Sequence, residues 1–273
     1  MPEGHTIHRL AKDLATTFGD NAVAATSPQG RFAEGAALID DATLDKAEAW
    51  GKHLFCWWSS GDILHVHLGL IGKFRPVPAA EAPTETVRLR LESSETAWQL
   101  TGPQTCQIID PGQRDAVVAP LGPDPLRRGR HSAAAFAERL TATSRPVGAA
   151  LLDQSIIAGI GNVYRAELLF LTGLHPTTPA NTVPCDLVHD LWELTRAQLK
   201  RGYAWNRIVT VSAPDVDRRV TRNLEPDDAL YAYHRTGLPC RRCHDHIADQ
   251  ELAGRSSWYR SLIHNSEPTR PPL

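Results

Sequence analysis

Ile7, Leu10, Ala11, Leu14 and Phe18 recur at helical spacing and predict a first helix from Glu3 to Phe18. Beyond it the period shortens. Leu54 to Trp58 and Ile63 to Leu68 are short apolar runs joined by Ser59-Ser60-Gly61-Asp62, which reads as a hairpin. Val87-Arg88-Leu89-Arg90-Leu91 alternates apolar and charged positions, as a strand with one wet face does. Ala97 to Leu100 and Gln107 to Ile109 are further strand candidates. A helix followed by many short strands predicts a sandwich or barrel-like first domain.

Pro120-Leu121-Gly122-Pro123-Asp124-Pro125 can sustain neither a helix nor a central strand. It reads as an interdomain linker, bounded here as 119–131 after a first domain of 1–118. Helical patterns follow at Ala133 to Thr141, Pro146 to Ile157, Val163 to Leu171 and Asp186 to Lys200. They define a second domain over 132–223. The last segment, 224–273, is short, basic and rich in turn residues.

Composition narrows the class. An apolar share of 42% and a charged share of 22% are those of an ordinary globular protein. No run approaches the roughly 20 apolar residues of a membrane span. The N-terminus lacks the basic-then-apolar build of a secretory signal, so a cytoplasmic location is expected. Five cysteines, an odd number, do not make a disulfide framework. Cys56, Cys106 and Cys185 stand singly and read as small buried side chains, whereas Cys240 and Cys243 form a Cys-x-x-Cys pair. The net charge of −2 argues mildly against a nucleic-acid partner. Its distribution argues the other way, because Lys200 to Leu273 carries 12 Lys/Arg against 9 Asp/Glu.

The candidate chemistry begins at residue 2. Methionine is normally trimmed before a residue as small as proline, which would leave Pro2 with a free secondary amine. An α-amino group titrates near ~8, far below a lysine side chain, so part of it is nucleophilic at neutral pH. Secondary amines attack aldehyde-like carbons to give iminium ions, and Glu3 next door can move the protons. The blander reading of Pro2-Glu3 is an ordinary helix start, with an acid near the positive end. Ala158-Gly159-Ile160-Gly161-Asn162 offers a second candidate. Its glycines let backbone approach a ligand, Asn162 stands where an N-cap belongs, and exposed amides at that helix start suit a phosphate. His65 and His67 share one strand face and could hold a metal, but without a third ligand at matching spacing they suit polar packing or a DNA-facing role.

The string from Leu151 to Tyr164, Leu-Leu-Asp-Gln-Ser-Ile-Ile-Ala-Gly-Ile-Gly-Asn-Val-Tyr, continues into Glu167-Leu168-Leu169. With Pro2-Glu3-Gly4 at the other end, it resembles the helix–two-turn–helix signature of the formamidopyrimidine-DNA glycosylase/endonuclease VIII family. The resemblance covers nearly the whole chain. It implies an α+β fold: an N-terminal β-sandwich with flanking helices, a helix–two-turn–helix domain, and a terminal zinc finger. It also implies a DNA glycosylase/AP lyase of base-excision repair, binding damaged or abasic double-stranded DNA between its domains and expected to act as a monomer. Matched to the family motifs, Pro2 is the nucleophile, Glu3 the catalytic acid/base, and Lys52 a phosphate-contacting residue that assists catalysis. Leu70 is the wedge that fills the gap left by a flipped nucleotide, the alternative being ordinary core. Asn162 and Arg255 grip backbone phosphate, and Cys240 and Cys243 supply zinc ligands. Glu3-Gly4-His5-Thr6 and Gly102-Pro103-Gln104-Thr105 look more like the endonuclease VIII branch, and the Asp-Pro-Arg-Arg-Phe wedge loop of the oxidised-guanine branch is absent. Oxidised pyrimidines, or bare abasic sites, are therefore the expected substrates, with oxidised purines, or a non-catalytic DNA-binding role, as the alternatives.

The finger departs from the family pattern. Cys240-Arg241-Arg242-Cys243 through Gly254-Arg255-Ser256-Ser257-Trp258-Tyr259 fits it, but the second cysteine pair should stand at 260 and 263, where this chain has Arg260 and Ile263. So abrupt a change is what a shifted reading frame or a foreign 3′ end would produce. Two thiolates make a poor tetrahedral site, and His244, His246 and His264 are the available substitutes. The sequence predicts weak, substoichiometric zinc, a loosely held Arg255 and reduced affinity for lesion DNA. Metal analysis of the purified chain checks this, since tight one-to-one zinc would mean that histidines complete the site.

Overall fold

The first helix forms because its apolar side chains fall on one stripe. Helix α1 runs Gly4–Phe18 and buries Ile7, Leu10, Ala11, Leu14 and Phe18, the five positions its spacing selects. The Glu3 carbonyl closes the first turn, accepting from Thr6 N–H at 2.9 Å and Ile7 N–H at 3.4 Å. Glu3 is thus the N-cap and not the first helical residue. The computed structural model describes residues 2–19, 21–128 and 132–260, and the chain divides after Leu121 into two compact units.

The first unit continues with β1 (Ala22–Thr26), α2 (Ala33–Ile39), β2 (Ala42–Trp50), β3 (His53–Trp58), β4 (Ile63–His67), β5 (Lys73–Pro78), β6 (Val87–Glu92), β7 (Thr96–Thr101), β8 (Thr105–Ile109) and α3 (Pro111–Val118). The strands pair antiparallel in two layers, β5-β7-β6-β1 and β2-β3-β4-β8, joined where Ala22 and Val23 meet β2. Val23, Leu89, Leu91 and Leu100 of one layer share a core with Leu54, Cys56, Leu64 and Val66 of the other and with α1. This is the β-sandwich that the sequence implied. Strands β1, β2 and β5 escape the sequence pattern for physical reasons. β1 is rich in alanine, a weak strand former. β2 is interrupted by a bulge between Leu44 and Lys46. β5 carries Pro76 and Pro78, which its position at the end of the strand order tolerates. Helix α3 is set by chemistry at its start, an Asp110–Gln113 capping box, more than by an apolar stripe.

The second unit contains α4 (Ala133–Thr141), α5 (Val147–Ala150), α6 (Asn162–Thr172), α7 (Cys185–Trp205), β9 (Ile247–Leu252) and β10 (Arg255–Arg260). The helix expected over 146–157 stops after one turn. From there Asp153 and Gln154 side chains take over the backbone, Asp153 accepting from Ser155 N–H at 3.0 Å and Gln154 accepting from Gly159 N–H at 3.0 Å. Helix α6 is buried continuously from Asn162 to Phe170. Tyr164, Leu168 and Leu169 face a cluster with Phe136, Val147 and Leu191, while Ala166 and Phe170 face another with Tyr231, Cys240, Ile247 and Trp258. Of the single cysteines only Cys56 is fully buried; Cys106 is half-buried and Cys185, at the start of α7, is exposed. Among the described residues no helix is long and apolar enough to cross a membrane.

On the face of β3 and β4 turned away from the sandwich core, His65 and His67 meet a third histidine, His53. His53 stands opposite His67, and Phe55 opposite His65. His53 Nδ1 lies 2.9 Å from His65 Nε2, and the His53 ring packs 4.9 Å from that of His67. Burial first, then repulsion from neighbouring imidazoles, pushes His53 down to about 3 and His65 to about 4, while burial and then the Lys52 charge lower His67. The folded stack is neutral, whereas the unfolded chain binds these protons near 6.5. The stability it supplies is therefore complete above that value and is lost as pH falls toward the folded values. Replacing His53 by Gln should shrink the loss of urea stability between about pH 7 and about pH 5, whereas an unchanged pH dependence would remove the stack as its source.

Candidate active site and nucleic-acid interface

Pro2 is half-buried and Glu3 is fully buried beside it. The hydrogen bonds to the Glu3 carbonyl fix the chain at this point, so Pro2 projects from a rigid helix start and not from a frayed end. His5, the second residue of α1, is buried and pushed down to about 4, chiefly by that burial. It is neutral at physiological pH. Lys52 stands in the two-residue turn between β2 and β3, where Trp50 pairs with His53. Gly51 opens that turn at φ +57, a conformation that favours glycine. Helix α1 packs against both β2 and β3, so Glu3 and Lys52 are carried by elements of one core.

Leu70 lies in the turn between β4 and β5 and is 61% exposed, with its neighbour Ile71 at 79%. That excludes the core reading for Leu70. The glycines around the pair are required. Gly69 sits at φ +67, and a Cβ on Gly72 would lie 2.2 Å from the Leu68 carbonyl oxygen. An exposed apolar pair at a tight turn suits an inserted wedge. Ile71 was missed by the sequence analysis, although a Leu-Ile pair bracketed by glycines was a legible signal.

Asn162 departs from its expected role as N-cap. Gly161, in extended conformation, caps α6. Asn162 is the first helical residue, 7% exposed, and its Nδ2 donates to the Ser256 carbonyl at 3.2 Å. The helix start is buried where exposed amides were expected. Arg165, fully buried, donates to that carbonyl at 2.6 Å. Ser256 follows Arg255, whose exposed side chain opens β10 after the Ala253-Gly254 turn. The structure thus brings Asn162 and the Arg255 tip together through the backbone of residue 256.

Cys240 is buried and Cys243 exposed. Cys240 Sγ accepts from Arg242 N–H at 3.4 Å, and the Cys240 carbonyl from His244 N–H at 3.0 Å. Arg242 itself reaches Asp215 at 3.0 Å. Among the described residues no three His, Cys, Asp or Glu side chains converge to hold a metal ion. His244 and His246 therefore do not complete a site with the two cysteines, and Ile263 and His264 lie outside the described residues. Arg260 cannot ligate a metal; its guanidinium lies 5.3 Å above the Phe170 ring. A tetrahedral zinc does not fit the residues described. The finger hairpin nevertheless forms in full register, from Arg255 opposite Leu252 to Arg260 opposite Ile247, and is tied to α6. Hydrogen bonds and ring contacts link this hairpin to α6, while the Arg255 side chain itself is exposed.

Two family models match the chain: the formamidopyrimidine-DNA glycosylase N-terminal domain over residues 1–107 and the formamidopyrimidine-DNA glycosylase H2TH domain over 121–212. The Mycobacterium tuberculosis protein named Endonuclease 8 1 is 40% identical over 264 residues, covering 95% of this chain and 98% of its own length. A Thermosynechococcus vestitus formamidopyrimidine-DNA glycosylase is 32% identical over 81% of this chain and 79% of its own. The Lactococcus lactis formamidopyrimidine-DNA glycosylase, solved non-covalently bound to DNA containing an AP site, shares the fold with a TM-score of 0.78. That match is 20% identical and covers 97% of this chain and 100% of the other. Near-complete coverage by relatives of this kind, on a sandwich that starts at a half-buried Pro2 and a buried Glu3, settles the assignment: the chain belongs to the formamidopyrimidine-DNA glycosylase/endonuclease VIII family.

Proposed function

We propose that this chain removes oxidised bases, oxidised pyrimidines in particular, from duplex DNA, working as a monomer in the cytoplasm, and cuts the strand through an imine on Pro2. That it is a DNA glycosylase and AP lyase of base-excision repair follows from its family. The observation that carries the mechanism is Pro2 held half-buried in front of a fully buried Glu3 that caps α1. The Pro2 nitrogen attacks C1′ of the damaged nucleotide and the base departs with a proton supplied by Glu3. Opening of the sugar gives an iminium ion, which acidifies the C2′ hydrogens. Loss of one expels the 3′-phosphate, and water then frees Pro2. Preorganisation on a rigid helix start brings the amine to the reacting carbon without a further ordering cost.

In this reading Lys52, presented by a tight turn, holds the phosphate beside the lesion, and Arg255 grips the backbone from the second unit, with Asn162 acting through the Ser256 carbonyl that it holds. Leu70 enters the stack vacated by the flipped nucleotide, which costs a few kcal/mol to extrude. The preference for pyrimidines rests on the motifs shared with the endonuclease VIII branch and on the relative named Endonuclease 8 1 at 40% identity. A competition between duplexes carrying an oxidised pyrimidine and an oxidised purine tests it, and preferential excision of the purine would reverse the preference.

Borohydride should lock the protein onto abasic DNA through residue 2. Retaining Met1, or replacing Pro2 by Gly, should remove most of the trapped product; unchanged trapping with Met1 in place contradicts the mechanism. Truncating Leu70 to Ala should slow excision from duplex about tenfold while sparing single strands, which have no stack to refill. Equal slowing on both substrates would assign Leu70 a role unrelated to the stack.

A further inference from the structure

Arg165 is the one cation on α6, a helix buried from Asn162 to Phe170, and it is itself fully buried. A guanidinium withdrawn from water is retained only where it holds something. One group that it holds is the Ser256 carbonyl, 2.6 Å from Arg165 Nη2 and 3.2 Å from Asn162 Nδ2. A carbonyl oxygen has two lone pairs, and here α6 supplies a donor for each. The same strand is fastened again four residues on, where Arg260 stacks on Phe170 of α6 at 5.3 Å. Between them Trp258 Nε1 donates to Thr236 Oγ1 at 2.9 Å. Arg260 occupies the position at which the family resemblance calls for a zinc-ligating cysteine.

We propose that Arg165 is a positioning residue for the DNA-gripping tip: with Asn162 it clamps the Ser256 carbonyl and so fixes the adjacent Arg255 from the helix side, with no metal required. The proposal deepens the functional reading above and rests on it only for the role of Arg255. Hairpin order then depends on α6, and chelators leave it unchanged.

The test uses the full chain, a duplex carrying a tetrahydrofuran abasic analogue, and hydrogen exchange of the β10 amides without DNA. Arg165→Met should accelerate exchange in β10 and weaken DNA binding about tenfold. Its effect should not add to that of Arg255→Ala, because both variants remove the same grip. Arg165→Lys should fall between parent and Met, and EDTA should change neither readout in the parent. Unaltered β10 exchange in Arg165→Met overturns the clamp, as does a parent hairpin that loosens on chelation or full additivity with Arg255→Ala. Faster exchange with unchanged affinity, together with a silent Arg255→Ala, keeps the clamp and rejects the phosphate role of Arg255. If Arg165→Met does not fold, Arg165→Lys decides: faster β10 exchange with weaker binding supports the clamp, and parental values in both overturn it.

Discussion

The finger side of the second unit is organised by one buried carboxylate. Glu167, fully buried on α6, accepts the backbone N–H groups of Tyr231, Ala232 and Tyr233, each at 2.8 Å, and the Thr210 hydroxyl. Those three amides belong to chain without regular secondary structure, so no ladder or helix is there to satisfy them. Left unpaired in the interior, each would carry a desolvation cost of about 1–3 kcal/mol. Removing the carboxylate would strand all of them at once. Arg235, also buried, donates to the Tyr231 carbonyl at 2.9 Å and brings a positive charge to the same neighbourhood.

From that anchor the rest of the finger region follows. Tyr231 stacks on Phe170 and donates its hydroxyl to Asp215. Asp215 receives Arg242, the residue just before Cys243, at 3.0 Å. Partial burial opposes ionisation of Asp215, but hydrogen bonds from Tyr231, Ser212 and Arg242 outweigh it and hold the carboxyl below the usual carboxylate range. The segment carrying the two cysteines is thereby tied to α6 through side chains that a metal would otherwise help to order. The first unit has a comparable economy of parts. One helix start presents Pro2 and Glu3, one hairpin turn presents Lys52, and another presents Leu70, each at the end of an element whose body is core.

The sequence disclosed what periodicity and motif can carry. The α1 stripe and the β3–β4 hairpin showed in the pattern, while the Pro2-Glu3 start and the two-turn motif carried the family and through it the chemistry. What stayed hidden was tertiary. Gly161 took the cap expected of Asn162 because the asparagine amide is drawn to Ser256, a partner 94 residues away. The helix expected over 146–157 gave way where the Asp153 and Gln154 side chains bond to the backbone of Ser155 and Gly159. His53 joined His65 and His67 only once strand register placed it opposite His67. Nor does anything in the linear sequence show that Arg165, Glu167 and Arg260 all reach between α6 and the finger region.

The dependence on Glu167 is tested most directly by native-state hydrogen exchange at Tyr231, Ala232 and Tyr233. These amides should exchange only with global unfolding of the second unit, and Glu167→Gln should bring their exchange down to local opening while α4 and α7 stay protected. Exchange at surface-loop rates in the parent chain, or protection unchanged in the Gln variant, would contradict the account.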